Sequence, residues 1–325
     1  MFRFISLILS VFMLTPTLAG QNLRSAEFLK QARGGFDHIY NLDYDQAADS
    51  FSSLKRKFPE HPAPPIYLAT VVWLSELLER QELDLDRFIT PTYFTSPAQE
   101  PMDDSRRKAF FRYIEESQRL AEAVLKRDPE NPDARYFLGS AHGLLGAFTI
   151  TIDRSYRGAF GHGKKAYQHH LDLVEEDPEY YDAYMSVGLY EYIVDNLKWY
   201  IKWIAVLIGY RGSEERGFEY LQRAAERGQF VNDDARILQM VLFVREKRYK
   251  EALRIVEQMH KKYSRNYILH LNRAQILEKL GQKKRAARTY REVLEMAQSR
   301  RPNYHKLPGN FSEQIRNKLA ELGEP

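Results

Sequence analysis

A 34-residue period of small side chains near the C-terminal end constrains the fold of this 325-residue sequence more than any other feature. Ala252 and Ala286 lie one such period apart, and bulky residues follow each of them four and seven positions later. A small residue lets two helices cross closely, while bulky residues one and two turns later fill the space between successive helix pairs. Gly281, between the two alanines, marks a turn. The period therefore predicts stacked pairs of antiparallel helices.

The same pattern recurs upstream with a longer spacing. Gly139 and Gly188 are 49 residues apart, and Ala166 and Gly217 are 51 apart, so each of the two central units holds some 15 to 17 extra residues. The phase of small and bulky residues predicts six helix pairs over about 25–298. Insertions are expected near 81–105, 147–163 and 193–212, and a terminal helix is expected over 311–322 with Ser312 as its N-cap.

This pattern resembles the tetratricopeptide (TPR) repeat, whose 34-residue unit is a pair of antiparallel helices. The match is specific at 43–59, 128–146 and 234–298 and weaker elsewhere. The resemblance implies an all-α fold, a TPR-like right-handed solenoid of about six antiparallel helix pairs with a C-terminal capping helix, in a single domain over 20–325. A generic helical bundle is the alternative, and alanines and glycines phased to the repeat period disfavour it.

Residues 1–19 have the features of a secretory signal peptide. Arg3 supplies a positive charge, and an apolar core of about a dozen residues follows at 4–14. This core is shorter than the ~20 apolar residues that span a bilayer, which disfavours an uncleaved anchor. We therefore expect cleavage after Ala19 and a soluble mature protein in an exported compartment, of which the bacterial periplasm is the natural choice.

Composition and charge exclude several classes of function. The chain has no cysteine, which rules out disulfide frameworks, cysteine-ligated zinc, thiol catalysis and a lipoprotein anchor. Its net charge of +4 is too small to indicate nucleic-acid binding. Charge is uneven, however, because residues 245–301 contain 17 Lys and Arg against six Asp and Glu. This excess indicates either solvated outer helix faces or a docking site for an acidic partner or an anionic surface.

No catalytic, cofactor or metal motif is complete. The glycine-rich stretch 158–164 has the spacing of a phosphate-binding loop, but Lys165 replaces the required Ser or Thr and no strand precedes it. We expect instead a flexible glycine loop before a helix that begins near Lys164. His169 and His170 are adjacent on a helix and point ~100° apart, so they cannot share one ion. The sequence therefore predicts no enzyme, no cofactor and no metal site.

The segment 197–210 is apolar on almost every side and contains Trp199 and Trp203, with Lys198 and Lys202 on a narrow polar face. A helix on a membrane surface has this pattern, and so does a helix buried within the solenoid. Together with its flanks at 188–226, the segment faintly resembles the divergent TPR family associated with mitochondrial outer membranes and lipid droplets. Both the contact surface and the buried scaffold remain open.

The TPR resemblance implies a scaffold or adaptor that binds a protein or peptide in a concave groove formed by the first helices of the pairs. The alternative is a peripheral membrane protein that uses 197–210. Asn272 is near the place where peptide-clamping TPRs have an asparagine, but the accompanying basic pattern is absent. The candidate contact residues are Tyr136, His142, Tyr184, Glu191, Arg236, Gln239, His270, Arg273 and Gln275 in the groove, with Trp199 and Trp203 in the apolar segment.

Export leads to a direct prediction. The native protein should begin at Gly20 or within a few residues of it, because the signal peptidase requires small residues just before the cut. N-terminal sequencing of the purified native protein tests this. A protein that still begins at Met1 would contradict it.

Overall fold

The structure, a computed structural model, describes residues 23–86, 101–196, 212–298, 307 and 309–323. In these ranges the chain forms thirteen α-helices and a short 3₁₀ turn at Tyr181–Ala183, without a strand. The helices are α1 Ala26–Tyr40, α2 Tyr44–Lys57, α3 Ala63–Glu79, α4 Asp104–Arg127, α5 Pro132–Thr151, α6 Tyr156–Glu176, α7 Tyr184–Asp195, α8 Glu214–Arg227, α9 Asn232–Arg245, α10 Tyr249–Lys262, α11 Tyr267–Lys279, α12 Lys283–Ala297 and α13 Phe311–Glu321.

Successive helices pack against each other as six pairs, α1/α2 to α11/α12, and α13 packs on α12. The fold prediction is confirmed: the protein is an all-α TPR-type solenoid with a terminal helix. Connections within a pair lie at one edge of the solenoid, which we call the intra-pair edge, and connections between pairs lie at the other, the inter-pair edge. Ser312 is not the N-cap, because α13 begins at Phe311 after Asn310.

Local sequence explains where the helices begin and end. The side chains of Asn131 and Asn266 accept hydrogen bonds from the backbone N–H groups three residues later, at 3.0 and 3.1 Å, and so cap α5 and α11. Pro132 occupies the first position of α5, where its missing N–H costs nothing. Gly281 adopts φ +72° after α11, a conformation that only glycine reaches without strain.

The small residues lie at the helix crossings. Ala252 and Ala286 are completely buried. At the α7/α8 crossing, a Cβ added to Gly188 would come within 2.8 Å of the Gly217 carbonyl oxygen, and a Cβ on Gly217 would come within 2.9 Å of the Gly188 carbonyl oxygen. These backbones approach closely only because neither residue has a side chain.

The expectation of a flexible glycine loop within 147–163 is wrong. Helix α5 continues to Thr151, and α6 begins at Tyr156 rather than near Lys164, with the Ser155 hydroxyl accepting from the Gly158 N–H at 3.3 Å. The extra residues therefore lengthen both helices of the pair to 20 and 21 residues. The glycine-rich stretch lies on a helix, which removes the phosphate-loop interpretation.

The N-terminal segment 23–43 joins the starts of later first helices at the inter-pair edge. The largely buried Arg24 guanidinium pairs with Asp133, 2.7 Å from Nε to Oδ1, and with Asp182, 3.2 Å from Nη2 to Oδ2. It also lies 4.0 Å from the centre of the Tyr180 ring. A guanidinium that leaves water needs such partners, since an unpaired buried charge is costly. We call this group of four residues the N-terminal clasp.

The first repeat also meets the last. The Asn266 side chain donates to the Tyr40 carbonyl at 2.7 Å, and Arg265 forms an ion pair with Asp43. After α3, Asp84 accepts a hydrogen bond from Gln275 of α11 at 2.7 Å. The solenoid thus curls until its ends are in contact, and its own first helices occupy the inner side.

Enlarging either alanine of the 34-residue period should destabilise the fold. Ala252→Leu and Ala286→Leu add volume at completely buried crossings, and each should lower the free energy of unfolding by ~1–3 kcal/mol through overpacking. Denaturant unfolding followed by circular dichroism measures the change. Ala26→Leu, on the exposed first turn of α1, is the matched control. Unchanged stability in both buried variants would show that the repeat phase is misassigned.

Candidate partner-binding surface

Five of the nine predicted groove residues are buried and face the chain itself. Tyr136 is 3% exposed, and its ring lies parallel to the His170 ring with centroids 5.0 Å apart. Its remaining neighbours include Tyr180 and Phe230, at centroid distances of 5.5 and 6.2 Å. Tyr184 is 4% exposed and donates its hydroxyl to a backbone carbonyl at 3.1 Å. Neither tyrosine offers a surface to a partner.

The three buried polar candidates are satisfied within the chain. Glu191 accepts from Arg216 at 2.8 Å, and Gln239 donates to a glutamine of α8 at 3.0 Å. Gln275 donates to Asp84 across the closed solenoid. Buried polar groups require such partners. The sequence did not reveal these partners because they are distant from the candidates along the chain. These five residues are therefore buried within the chain, and their role in partner binding stays a prediction.

The other four candidates are partly exposed and also have intramolecular contacts. Arg236 pairs with Asp233 at 2.7 Å, and Arg273 donates to Thr289 at 3.0 Å. His270 lies 3.6 Å from a Glu292 oxygen. Their role in partner binding stays a prediction.

Asn272, at the clamp-like position, binds the chain's own backbone. Its side-chain oxygen accepts from the Leu85 N–H at 3.3 Å, and Lys279 pairs with Asp86 at 2.8 Å. Leu85 is 1% exposed. The segment 84–86 thus occupies this part of the inner face, which leaves the outer face as the accessible one.

Trp199, Trp203 and the whole of 197–210 lie outside the described residues, so both interpretations of the segment remain predictions. On its two sides the chain is firmly held, because the Asp195 carboxylate accepts from the Glu214 N–H at 3.1 Å.

The positive charge of the C-terminal region is concentrated on the outer side of α10 and α12. Buried Ala252 and Val256 face inward on α10, so residues two positions before each alanine or valine project outward. Helix α12 repeats this arrangement one period later. The exposed cations on this outward side of the two helices, which we call the basic outer face, are Lys250, Arg254, Lys284, Arg288 and Arg291.

The neighbouring second helix does not share this charge. On α8 the exposed positions alternate in sign, with three glutamates and three arginines. On α12, beside the basic outer face, Glu295 is the carboxylate residue at an exposed position. A salt bridge of 2.8 Å between Arg285 and Glu257 joins α12 to α10 and fixes the two helices side by side. The excess of positive charge in the sequence thus lies largely on the exposed positions of two adjacent helices, where Glu257 and Glu292 neutralise part of it.

Three histidines cluster between α5 and α6 without forming a metal site. The His142 ring is 6.0 Å from His162 and 5.9 Å from His169 between centroids. Burial, together with the Lys165 ammonium, lowers the pKa of all three, that of His142 to about 4. Within the described ranges, no group of three or more His, Asp or Glu is placed to hold a metal ion.

The surface depressions do not gather catalytic groups. One of about 430 Å³ lies on α4, and another of about 430 Å³ lies between α2 and α4. Their linings are mainly lysines, arginines and glutamates, with Ser52 in the second depression. None of the described helices is both long and apolar enough to cross a membrane.

Two family models of the tetratricopeptide repeat match the chain. One matches residues 243–308 and the other matches residues 113–149. The first range includes α10, α11 and α12, and the second contains the end of α4 and most of α5. None of the curated proteins matches.

Solved structures with similar folds include a tetratricopeptide repeat protein from Parabacteroides merdae ATCC 43184, with 15% identity and a TM-score of 0.36 over 92% of this chain and 93% of that one. Naa15/Naa10 bound to HypK-THB has 14% identity and a TM-score of 0.32, over 91% and 41% of the chains. Yeast Tom70 has 11% identity and a TM-score of 0.26, over 90% and 89%. The repeat assignment rests on the two family models.

Buried neutral histidines should make the protein sensitive to acid. Burial lowers the pKa of His170 to about 4, although its Nε2–H donates to the Tyr136 carbonyl at 2.9 Å. The unfolded ring titrates near 6.5, so below that pH the unfolded state binds more protons and stability falls until about pH 4. His170 alone should therefore cost about 2.5 kcal/mol between pH 7.5 and 4.5.

The variant His170→Gln should be less stable at pH 7.5 but should lose about 2.5 kcal/mol less on acidification, as measured by denaturant unfolding at each pH. Ser186→Ala is the control, because it removes the hydroxyl that contacts Nδ1 of His170 and leaves the titrating ring in place. Equal pH dependence in the wild type and His170→Gln would contradict the prediction.

Proposed function

We propose that this tetratricopeptide-repeat protein is a non-enzymatic scaffold that binds an acidic protein partner on the basic outer face of α10 and α12. TPR solenoids commonly serve as surfaces for protein interaction, and the repeat is present over 113–149 and 243–308. The observation that carries the proposal is the placement of five exposed cations on two adjacent helices. Such a surface favours and steers an acidic partner through charge complementarity.

The closed inner side supports binding on the outer face. The segment 84–86 contacts Asn272 and Gln275, and α1 spans from the clasp to Asn266. A peptide on the inner side would have to displace these contacts and expose Leu85, which is completely covered. Displacement of that kind would cost several hydrogen bonds and the burial of a large apolar side chain.

The proposed location is an exported compartment, with the bacterial periplasm as the specific choice. The signal-like features of 1–19 support it. A protein working there would meet its partner outside the cytoplasm, so the partner should be sought in the exported fraction.

Charge reversal tests the binding surface. The variant Lys250→Glu/Arg254→Glu/Lys284→Glu/Arg288→Glu should lose at least tenfold in crosslinking yield with its partner, because complementary charges become repulsive. Raising the salt concentration should weaken wild-type binding as well, since exposed charges are screened. The measurement is quantitative crosslinking in the exported fraction, with a photoreactive residue at Arg291.

The matched control reverses four exposed cations of α4, and its crosslinking should equal that of the wild type. Both variants should keep the wild-type melting temperature, because every changed side chain is exposed. Equal crosslinking in both variants, or a captured partner without an acidic surface, would refute the proposal. The control residues are Lys108, Arg112, Arg119 and Lys126.

A further inference from the structure

We propose that the intra-pair edge of the solenoid, from α6 to α12, rests on an anionic phospholipid bilayer. This surface is distinct from the basic outer face and does not depend on the proposed protein partner. It is defined by Tyr156 and Phe160 at the start of α6, Ile193 at the end of α7, and the turn residues Lys247 and Lys283.

The exposed large apolar side chains of the described residues are all at this edge. Tyr156 is 51% exposed, Phe160 is 40% exposed and Ile193 is 42% exposed. Tyr156 and Phe160 are four positions apart on α6 and therefore project from one side of the helix. The Phe160 ring lies 6.3 Å from that of Tyr190, which places the start of α6 beside the end of α7. The three side chains therefore belong to one region of the surface.

Contacts between pairs show that the connections within pairs share this edge. The Tyr192 hydroxyl near the end of α7 donates to Glu246, directly after α9. The Arg248 guanidinium, before α10, lies 4.9 Å from the Phe218 ring centre at the start of α8 and 4.3 Å from that of Phe243. The turn between α9 and α10 thus lies at the same edge as the exposed apolar residues.

Exposed cations lie along the same edge as the apolar side chains. Arg157 follows Tyr156, Lys247 lies in the turn after α9, and Lys283 opens α12. Among the carboxylates nearby, Asp153 pairs with Arg107 at 2.6 Å and Glu251 pairs with Arg248 at 3.1 Å. Glu215, at the start of α8, is exposed and opposes this charge. The turns of the last two pairs carry the larger positive excess.

A bilayer fits this arrangement better than a folded protein does. Partly exposed aromatic and aliphatic side chains flanked by Lys and Arg are typical of proteins that lie at the interface between headgroups and acyl chains. The start of α6 and the turn before α12 both belong to the intra-pair edge, which is the edge that we propose contacts the anionic surface.

Vesicle sedimentation tests the proposal with the protein purified after expression of the full sequence. The vesicles are phosphatidylcholine with 30 mol% phosphatidylglycerol, compared with phosphatidylcholine alone. We expect binding to the anionic vesicles that weakens with salt. Tyr156→Ser/Phe160→Ser should reduce the partition coefficient at least tenfold. Lys247→Gln/Lys283→Gln should reduce the partition coefficient on anionic vesicles roughly fivefold for each lysine. It should leave binding to vesicles of phosphatidylcholine alone unchanged.

Matched variants separate this edge from other surfaces. Lys126→Gln/Lys261→Gln removes two exposed cations near the inter-pair edge and should bind like the wild type. All variants carry the same N-terminus, so a retained apolar leader would contribute equally to each. Melting temperatures should be unchanged, because every substituted side chain is exposed.

Three results would overturn the proposal. The first is an absence of wild-type binding to anionic vesicles. The second is equal binding by the intra-pair and inter-pair lysine variants. The third is binding that Trp199→Ser/Trp203→Ser abolishes while Tyr156→Ser/Phe160→Ser leaves it intact, which would assign membrane contact to the apolar segment instead. The crosslinking experiment on the basic outer face is independent of all three.

Discussion

The buried charge of Arg24 is the constraint on which the closed form of this solenoid depends. Its guanidinium lies between Asp133 and Asp182, which belong to different helix pairs, and over the Tyr180 ring. Burial raises the pKa of the Asp182 carboxyl, and the opposing influences are Arg24 and the backbone N–H groups of residues 229–231. If Arg24 left this site, a buried carboxylate would lose its counter-charge, so the N-terminal segment and three repeats hold one another in place.

Closure changes what a TPR solenoid can offer to a partner. An open array exposes the inner sides of its first helices, whereas here the segment 84–86 contacts α11 on that side and α1 spans the starts of later first helices at the inter-pair edge. The covering contacts are specific, as in the hydrogen bond from the Leu85 N–H to Asn272 and the neutral His61 ring that donates to the Leu23 carbonyl at 2.7 Å. The surfaces that a partner can reach are therefore the outer face and the two edges.

The sequence predicted the repeat architecture well because close packing demands small residues at fixed spacing. The prediction from sequence failed at 147–163 because glycine occurs both in flexible loops and at close helix contacts. A Cβ on Gly158 of α6 would come within 2.8 Å of Cγ2 of Thr149 on α5, so this glycine lets the two lengthened helices pack closely. Sequence alone does not distinguish this use from a flexible loop. The burial of the five groove candidates was not predictable for another reason: Gln275 and Asp84 are 191 residues apart, and no local pattern reveals such a pair.

The 34-residue period that places small residues in the core also repeats the exposed cations on the outer face. Lys250 and Lys284 lie one period apart, as do Arg254 and Arg288, and all four are exposed. Positions one period apart occupy equivalent places on successive pairs, so each repeated cation projects from the same side of the stack. Upstream, the insertion near 193–212 breaks the period, and α8 carries mixed charges instead. The basic outer face is therefore restricted to the part of the chain where the 34-residue spacing is uninterrupted.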